Sequence, residues 1–573
     1  MTAQALRVEE LAAPYFVAPQ LSDQLDTFAC APEGFKRLRE LVLNLAVRGR
    51  LVPQDPSDEP ADILVESRSG LSGPNHQPAS ATIDPLPSGW VLASLSALGV
   101  FCGGKTPSTS HSGYWDGSIP WVTPKDMKSN EIYDTQDHVS ELALRDGLNA
   151  IEANCVLIVV RSGILRRMLP VAICRTRCTV NQDLKALRLR RPEMARYVQL
   201  MLQGYERWIL VALTKTGTTV ESVKTDELAE CLFPLPPLAE QSRIVAKVEE
   251  LMALIDRLEK KVSHGDTARG KLLDALLAAL ADSPDAAATA DAWAQLAPHF
   301  DLLFQTSADV DRLQQTLLTL AVKGRLVPQD PNDEPAAELL KRIRAEKQRL
   351  VAGGTIKRET PFAEISDSEK PYSLPHGWQW VRLNQLLSKI GAGSTPLGGK
   401  EVYVSSGVKF LRSQNVWNEG LRLTDTAYVK PETHEKMSGT KVLPNDLLFN
   451  ITGASIGRCA VVPESIGEAN VSQHVTIVRP VQREIVPLLH LVLISSHVQQ
   501  TVMDVQVGVS REGLSISKLG KFVIPLPPLA EQSRIVAAVA SLTALCDRLR
   551  KHLAVRRDLS AKLATALTES ALQ

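Results

Sequence analysis

The chain copies itself, so whatever it folds into must be buildable twice. The segment LAVRGRLVPQDPSDEPA, Leu45 to Ala61, returns as LAVKGRLVPQDPNDEPA, Leu320 to Ala336, with 15 of 17 positions identical at an offset of 275. PLPPLAEQSRIVAKVEELMALIDRLEKK, Pro234 to Lys261, returns as PLPPLAEQSRIVAAVASLTALCDRLRKH, Pro525 to His552, with 21 of 28 identical at an offset of 291. Between these anchors LPSGW (Leu86 to Trp90) answers LPHGW (Leu374 to Trp378), VNQDLKALRL from Val180 answers VSQHVTIVRP from Val471, and little else is shared. Each half is a near-identical frame around a diverged centre, which is how a tandem duplication reads. The second half is longer after its DEPA segment, where the charged stretch ELLKRIRAEKQRLV, Glu338 to Val351, predicts a solvated helix.

The frame is helical by pattern. Leu38, Leu41, Val42 and Leu45 fall on one helix face, Gly49 suits a left-handed position just past its end, and Pro53 lies beyond; Leu313, Leu317, Leu320, Gly324 and Pro328 repeat this. After PLPPL, the residues Ile244, Val248, Leu251, Ile255 and Leu258 step alternately by four and three, as do Ile535, Val539, Leu542, Cys546 and Leu549, the seam spacing of a coiled coil. Each helix could instead pack only on its own domain, but two copied seams favour pairing of the two helices. A helix of 44 residues from Pro237 to Leu280 would span about 66 Å. The centres read as α+β globular domains of short β-rich runs such as Cys155 to Val160, broken by Gly, Pro, Ser and Asn.

The expected organisation is a helical frame segment over 1–85, a globular domain over 86–236, a long helix over 237–280, an Ala-rich linker over 281–300, a second frame segment over 301–371, a second globular domain over 372–527 and a last long helix over 528–573. The fold class is thus α+β: two globular domains in tandem, separated by long helices forming an antiparallel coiled coil, with pseudo-twofold symmetry.

Composition removes several classes. Hydrophobic residues make up 44% and charged residues 22% of 573 positions, and no apolar run approaches the length of a membrane span. The first residues, MTAQALRVEELAAP, lack a basic region and apolar core, so the expectation is a cytoplasmic protein without membrane contact. Eight scattered cysteines suggest buried thiols, with neither a disulfide framework nor a metal ribbon. A literal phosphate-loop pattern occurs at Gly99, Gly104, Lys105 and Thr106, but Pro107 and STSHSGYWDGSIP follow where a helix would have to open. The Pro-Pro pairs lack the polar and aromatic partners of a methyltransferase tetrad, and neither a metal-hydrolase nor a nucleophile-elbow spacing occurs. The chain is expected to catalyse nothing and to hold no cofactor or metal.

Net charge is zero, from 64 basic and 64 acidic residues, so any signal for nucleic acid must be local. Arg161, Arg166, Arg167, Arg175, Arg177, Lys185, Arg188, Arg190 and Arg191 lie within 31 residues whose only acid is Asp183. Such density suits phosphate contacts and guanine edges; the bland alternative is a solvated strand face. The second centre offers Arg412, Ser413, Gln414, Asn415, Asn450, Thr452 and His474, a set richer in amides able to pair with adenine.

With GGKTPS (Gly103 to Ser108) and YWDGSIPWVTPKDM (Tyr114 to Met127) in the first centre, and PLPPLAEQSRIV before each long helix, nearly the whole chain resembles the specificity subunit of a type I restriction-modification system. The second centre departs from it, with TPLGG in place of TPSTS and VKFLR in place of IPWVT. The resemblance implies that each centre is a target recognition domain reading one half of a split site in double-stranded DNA. It also implies that the copied helices set the spacing and bind two modification subunits, with two restriction subunits completing the complex. S-adenosylmethionine for adenine methylation, and ATP and Mg2+ for cleavage, would then sit on those partners. The residues expected at DNA are Lys105, Thr106, Lys125, Arg161, Arg166 and Arg167 in the first reader and Arg412, Gln414, Asn415 and Arg511 in the second. Gln182 and Gln473, common to both centres, lean towards a structural role. The rival reading is a coiled-coil scaffold whose globular centres bind proteins.

Overall fold

The computed structural model describes residues 25–65, 86–215, 220–358, 363–507 and 513–572. The chain forms two compact units: the first is residues 1–265 with 556–573, the second residues 266–555. The chain passes between them inside its two long helices, Leu238–Ala281 and Leu529–Leu572.

In the first unit the frame helix Gly34–Val47 ends at Gly49, which adopts φ 67°, and in the second unit the frame helix Ser307–Val322 ends at Gly324 with φ 69°. Both turns bring the chain against a tryptophan. A Cβ on Gly324 would lie 2.6 Å from Pro375 and 2.7 Å from Trp378, and one on Gly49 would lie 2.7 Å from Pro87. That close approach seats the indole of Trp90, whose Nε1 donates 2.9 Å to the buried Glu240 carboxylate; Gln54 donates to the same carboxylate at 3.3 Å. In the second unit Trp378 donates 2.9 Å and Gln329 3.2 Å to buried Glu531. Arg243 forks onto Asp58 at 2.6 and 3.1 Å, and Arg534 onto Asp333 at 2.5 and 3.3 Å. Three of the copied sequence segments are thus the three sides of one contact, made once in each unit.

The globular centres share the core of a topology: four strands of one sheet and three of its companion correspond, while the first centre adds a strand to the larger sheet and the second adds one to the companion. In the first, after a separate strand β1 (Val91–Ser94), strands β2 (Gly99–Gly103), β3 (Ile119–Val122), β4 (Glu131–Ile132), β5 (His138–Val139), β6 (Val156–Val159), β7 (Val171–Cys174), β8 (Thr179–Val180) and β9 (Leu184–Leu189) form two sheets, ordered β2-β9-β6-β7-β4 and β5-β3-β8. β1 pairs antiparallel with Leu232–Leu235, which closes the domain onto its long helix. In the second centre the corresponding sheet runs Leu387–Ala392, Val475–Pro480, Leu447–Asn450, Cys459–Val461. Its companion runs Tyr403–Val404, Ala427–Val429, Val408–Leu411, Ala469–Val471. β6 and β7, apolar at every position, are buried throughout, as strands covered on both faces must be. The phosphate-loop look-alike is accounted for here: Gly99 to Gly103 is strand β2, and its glycine-rich end serves the sheet.

Several expectations need correction. Ile244, Val248, Leu251 and Ile255 lie in the first unit's own core with Leu38, Leu41 and Leu45, and Ile535 and Val539 pack on the second unit's core. Leu258 and Leu542 are only half-buried. Cys546 and Leu549 do meet the end of the first long helix, at Leu273 and Leu277, together with Val310 and Leu313. The spacing finds the apolar stripe of a helix but not its neighbour. In the first unit the returning segment 556–573 adds Ala564 to the core, and the Arg37 guanidinium bonds Thr565 and the carbonyl of Ala561. The Ala-rich stretch is not a bare linker: Asp285 accepts from the Ala288 amide at 2.9 Å and starts the helix Ala286–Leu296, which buries Leu296 against Leu273 and Leu277. The inserted helix, Ala336–Ala352, buries Ala336, Leu339, Leu340 and Ile343 and leaves its charged face outside. By composition the last long helix is apolar enough to cross a membrane, contrary to the sequence expectation, but Ile535, Val536 and Val539 have protein partners in the second unit's core.

Two substitutions test the Trp-Glu contact. Trp378→Phe leaves the Oε2 oxygen of buried Glu531 without its indole donor, only Gln329 still donating to Oε1, and should cost about 1–3 kcal/mol, read as a lower Tm. Burial raises the Glu531 carboxyl above its ordinary value, so its contribution to stability is full below that value and is lost as pH rises through the raised one. Glu531→Gln, which keeps an acceptor for Trp378, should therefore gain in Tm relative to the parent between pH 4 and pH 8; parallel curves would contradict this.

Candidate nucleic-acid interface

At one edge of each centre, strand ends from both sheets converge. β3 runs parallel to β8, with Val122 beside Val180, and the Asn181 amide donates to the Val122 carbonyl at 3.1 Å. Leu411 lies beside Val471 in the second centre, and the Ser472 amide donates to the Leu411 carbonyl at 2.9 Å. The end of β6 lies beside the start of β9, Val159 opposite Leu184, as Asn450 lies opposite Val475. Across this edge runs the segment after β2. A Cβ at Gly104 would sit 1.7 Å from the Val180 carbonyl oxygen, and one at Gly393 2.0 Å from that of Val471, so glycine alone lets the chain cross.

Two side-chain pairs occupy the edge in each centre. The first is common: Thr106 Oγ1 donates to Gln182 Oε1 at 2.7 Å, and Thr395 Oγ1 to Gln473 Oε1 at 3.0 Å. All four residues are exposed, while the following Pro107 and Pro396 are buried. The second pair has the same position and different chemistry. Arg161 Nε donates to Asp183 Oδ1 at 2.6 Å, whereas the residues at the repeat offset, Thr452 and His474, join Oγ1 to Nδ1 at 2.6 Å. One geometry thus presents a cation and a carboxylate in one domain and a hydroxyl and an imidazole in the other.

The remaining expected residues separate. Lys105, Thr106, Lys125 and Arg161 are exposed at this edge, and neither lysine forms an ion pair among the described residues. Arg166 is committed elsewhere: its Nε donates 2.5 Å to Glu221, whose carboxyl is held below its usual range by that bond. Arg167 follows it in the same loop and is exposed. The nine-residue basic cluster does not exist as a patch. Because β6 and β7 are antiparallel, Arg175 and Arg177 lie at the far end of the sheet from Arg161, where Glu131 and Glu141 bind them. These acids come from outside the sequence window that made the stretch look so positive.

In the second centre Gln414 is exposed and donates 2.6 Å to Asp425, and Arg412 is half-buried with Nη2 donating 3.3 Å to the Asp425 carbonyl. Asn415 is not a reader: at 1% exposure it donates 2.9 Å to the Arg422 carbonyl and accepts from the Arg412 amide, bracing the loop. Arg511 lies outside the described residues. Sequence reasoning missed Trp417 and Arg458. The guanidinium carbons of Arg422 and Arg458 lie 3.5 and 3.7 Å from the Trp417 ring centroid, beside an open cavity of about 470 Å³ lined by Gln414, Thr452, Ser455 and His474. Nothing in the sequence links residues 41 positions apart.

Residues 87–264 and 375–555 each match the type I restriction modification DNA specificity domain, and together they make up more than half of the chain. The chain belongs to this family. This specificity subunit is 28% identical over 568 residues to the type I restriction enzyme EcoAI specificity subunit of Escherichia coli, spanning 94% of both chains. It is 29% identical over 590 residues to the EcoEI specificity subunit of the same organism, again over 94% of each. Among solved structures, the HsdS subunit from Thermoanaerobacter tengcongensis is 18% identical, with 85% of this chain and 97% of that one covered and a TM-score of 0.39. The protein is a non-catalytic sequence-reading subunit with two DNA specificity domains.

If Arg166 serves Glu221, Arg166→Ala should lower Tm at neutral pH without changing the DNA sequence selected. Glu221 titrates below its ordinary value in the folded state, so that stabilisation is present above the usual carboxylate range and is lost as pH falls. The Tm deficit should close on acidification. An altered target with unchanged Tm would restore Arg166 to the reading edge.

Proposed function

We propose that the two specificity domains read the two halves of a split, asymmetric site in double-stranded DNA, each with the edge that carries its Thr-Gln pair. The observation that carries this is the paired position at that edge, Arg161 with Asp183 and Thr452 with His474: one scaffold, two chemistries. Arg and amide-rich neighbours such as Gln414 suit base edges in the major groove, and Lys105 and Lys125 suit phosphates.

The long helices hold the readers at a fixed spacing as an antiparallel pair, giving the subunit pseudo-twofold symmetry. Support comes from each unit separately: the first unit's frame helix takes up residues 556–573, and the second unit's takes up residues from 266 onward, where Arg269 bonds Asp309 at 2.8 Å and Arg312 bonds Asp274 at 2.8 Å. The near-identical frames suit two copies of one modification subunit, and restriction subunits would complete the complex. S-adenosylmethionine, ATP and Mg2+ act on those partners, and the protein works in the cytoplasm.

The test is expression with the modification subunit in a methylation-free host, followed by mapping of adenine methylation. A split motif with two unrelated halves and a fixed gap is expected. An assembled complex bound to S-adenosylmethionine that methylates nothing would favour the scaffold reading. Duplex binding should also weaken steeply with salt, and Lys125→Ala should reduce the slope of log affinity against log salt by about 1; an unchanged slope would remove Lys125 from the phosphate contacts.

A further inference from the structure

We propose that Arg458 reads a guanine in the half-site bound by the second specificity domain, with Trp417 as its positioning residue. The inference rests on the reading that this domain binds DNA by the edge described above. Arg458 stands immediately before the strand Cys459–Val461, on the rim of the cavity that also presents Gln414, Thr452, Ser455 and His474. Its guanidinium lies 3.7 Å from the indole centroid and forms no ion pair among the described residues.

The indole cannot drift. Its other face is covered by Arg422, its Nε1 donates 2.8 Å to the Gln414 carbonyl, and the next residue, Asn418, accepts from the Cys459 amide at 3.1 Å. Buried Asn450 ties the cavity wall together, donating 2.9 Å to the Ser413 carbonyl and 3.1 Å to Ser455 Oγ. A guanidinium laid flat on an aromatic ring has its plane fixed and its N–H fork pointing outward along that plane. That is the presentation required for bidentate donation to guanine O6 and N7. The other side chains on the rim, Gln414, Thr452, Ser455 and His474, are hydrogen-bonding groups suited to base edges, and the second guanidinium among the described residues here, Arg422, is held on the opposite face of the indole.

The experiment compares the parent complex with Arg458→Lys and Arg458→Ala, each assembled with the modification subunit, by mapping adenine methylation and measuring duplex binding against salt. In the parent, exchange of residues 372–527 for another reader identifies which half-site this domain serves, and that half must contain a G·C pair. Both variants should lose discrimination at one such pair by about 10- to 100-fold while the other half and the gap stay unchanged. Lysine keeps the charge but not the fork, so equal relaxation by both variants separates base reading from phosphate contact. A half-site without guanine overturns the proposal. So does Arg458→Lys that leaves the motif intact, or an alanine variant that weakens all sequences alike with a smaller salt slope. If Arg458→Ala fails to assemble, Arg458→Lys decides. If the parent itself yields no split motif, it is the underlying specificity reading that fails.

Discussion

The frame depends on a buried tryptophan donating to a buried glutamate, Trp90 to Glu240 and Trp378 to Glu531. A carboxylate removed from water is costly unless it is bonded, and here an indole and a glutamine amide bond it while an arginine-aspartate fork closes the side. Each partner comes from a different copied segment: the tryptophan from LP-x-GW, the glutamine and aspartate from the turn after the frame helix, the glutamate and arginine from the start of the long helix. Truncating any one of them leaves another buried polar group short of a partner. This explains in physical terms why three segments far apart in the chain have been kept together in both halves, and why the direction of each long helix relative to its own domain is fixed.

With entry and exit of each centre fixed by that contact, the centre's strands can carry different side chains on one topology. What stays common is what the backbone needs: the glycine that crosses a carbonyl, the buried proline after it, the threonine that bonds the shared glutamine. What differs is what faces outward beside them, Arg161 with Asp183 in one domain and Thr452 with His474 in the other. A protein that must read two unrelated sequences with one architecture is expected to vary at just such positions.

Much of the frame was legible in the sequence. The duplication, the helix ending at a left-handed Gly49 or Gly324, and the long helices were readable because identity, periodicity and turn chemistry are local signals. Which surface a helix faces is not local. The stripe from Ile244 to Ile255 reads as a coiled-coil seam and packs on its own domain, because any apolar neighbour satisfies an apolar stripe. The basic stretch failed for a related reason: antiparallel strands sent neighbouring arginines to opposite ends of a sheet, and acids from distant segments met them there. Asn415, with the composition of a reader, is a buried brace, and Arg458, which no motif marks, stands on an indole that only folding brings to it.

On the proposed function, the frames are interchangeable mounts and the centres carry the reading. This is tested most directly by a chimera in which residues 86–236 are replaced by residues 372–527, so that the same reader sits in both frames, assembled with the modification subunit and analysed by methylation mapping. A symmetric target is expected, the second reader's half-site appearing twice in inverted orientation with a fixed gap. An assembled, active chimera that still selects two different half-sites would contradict it.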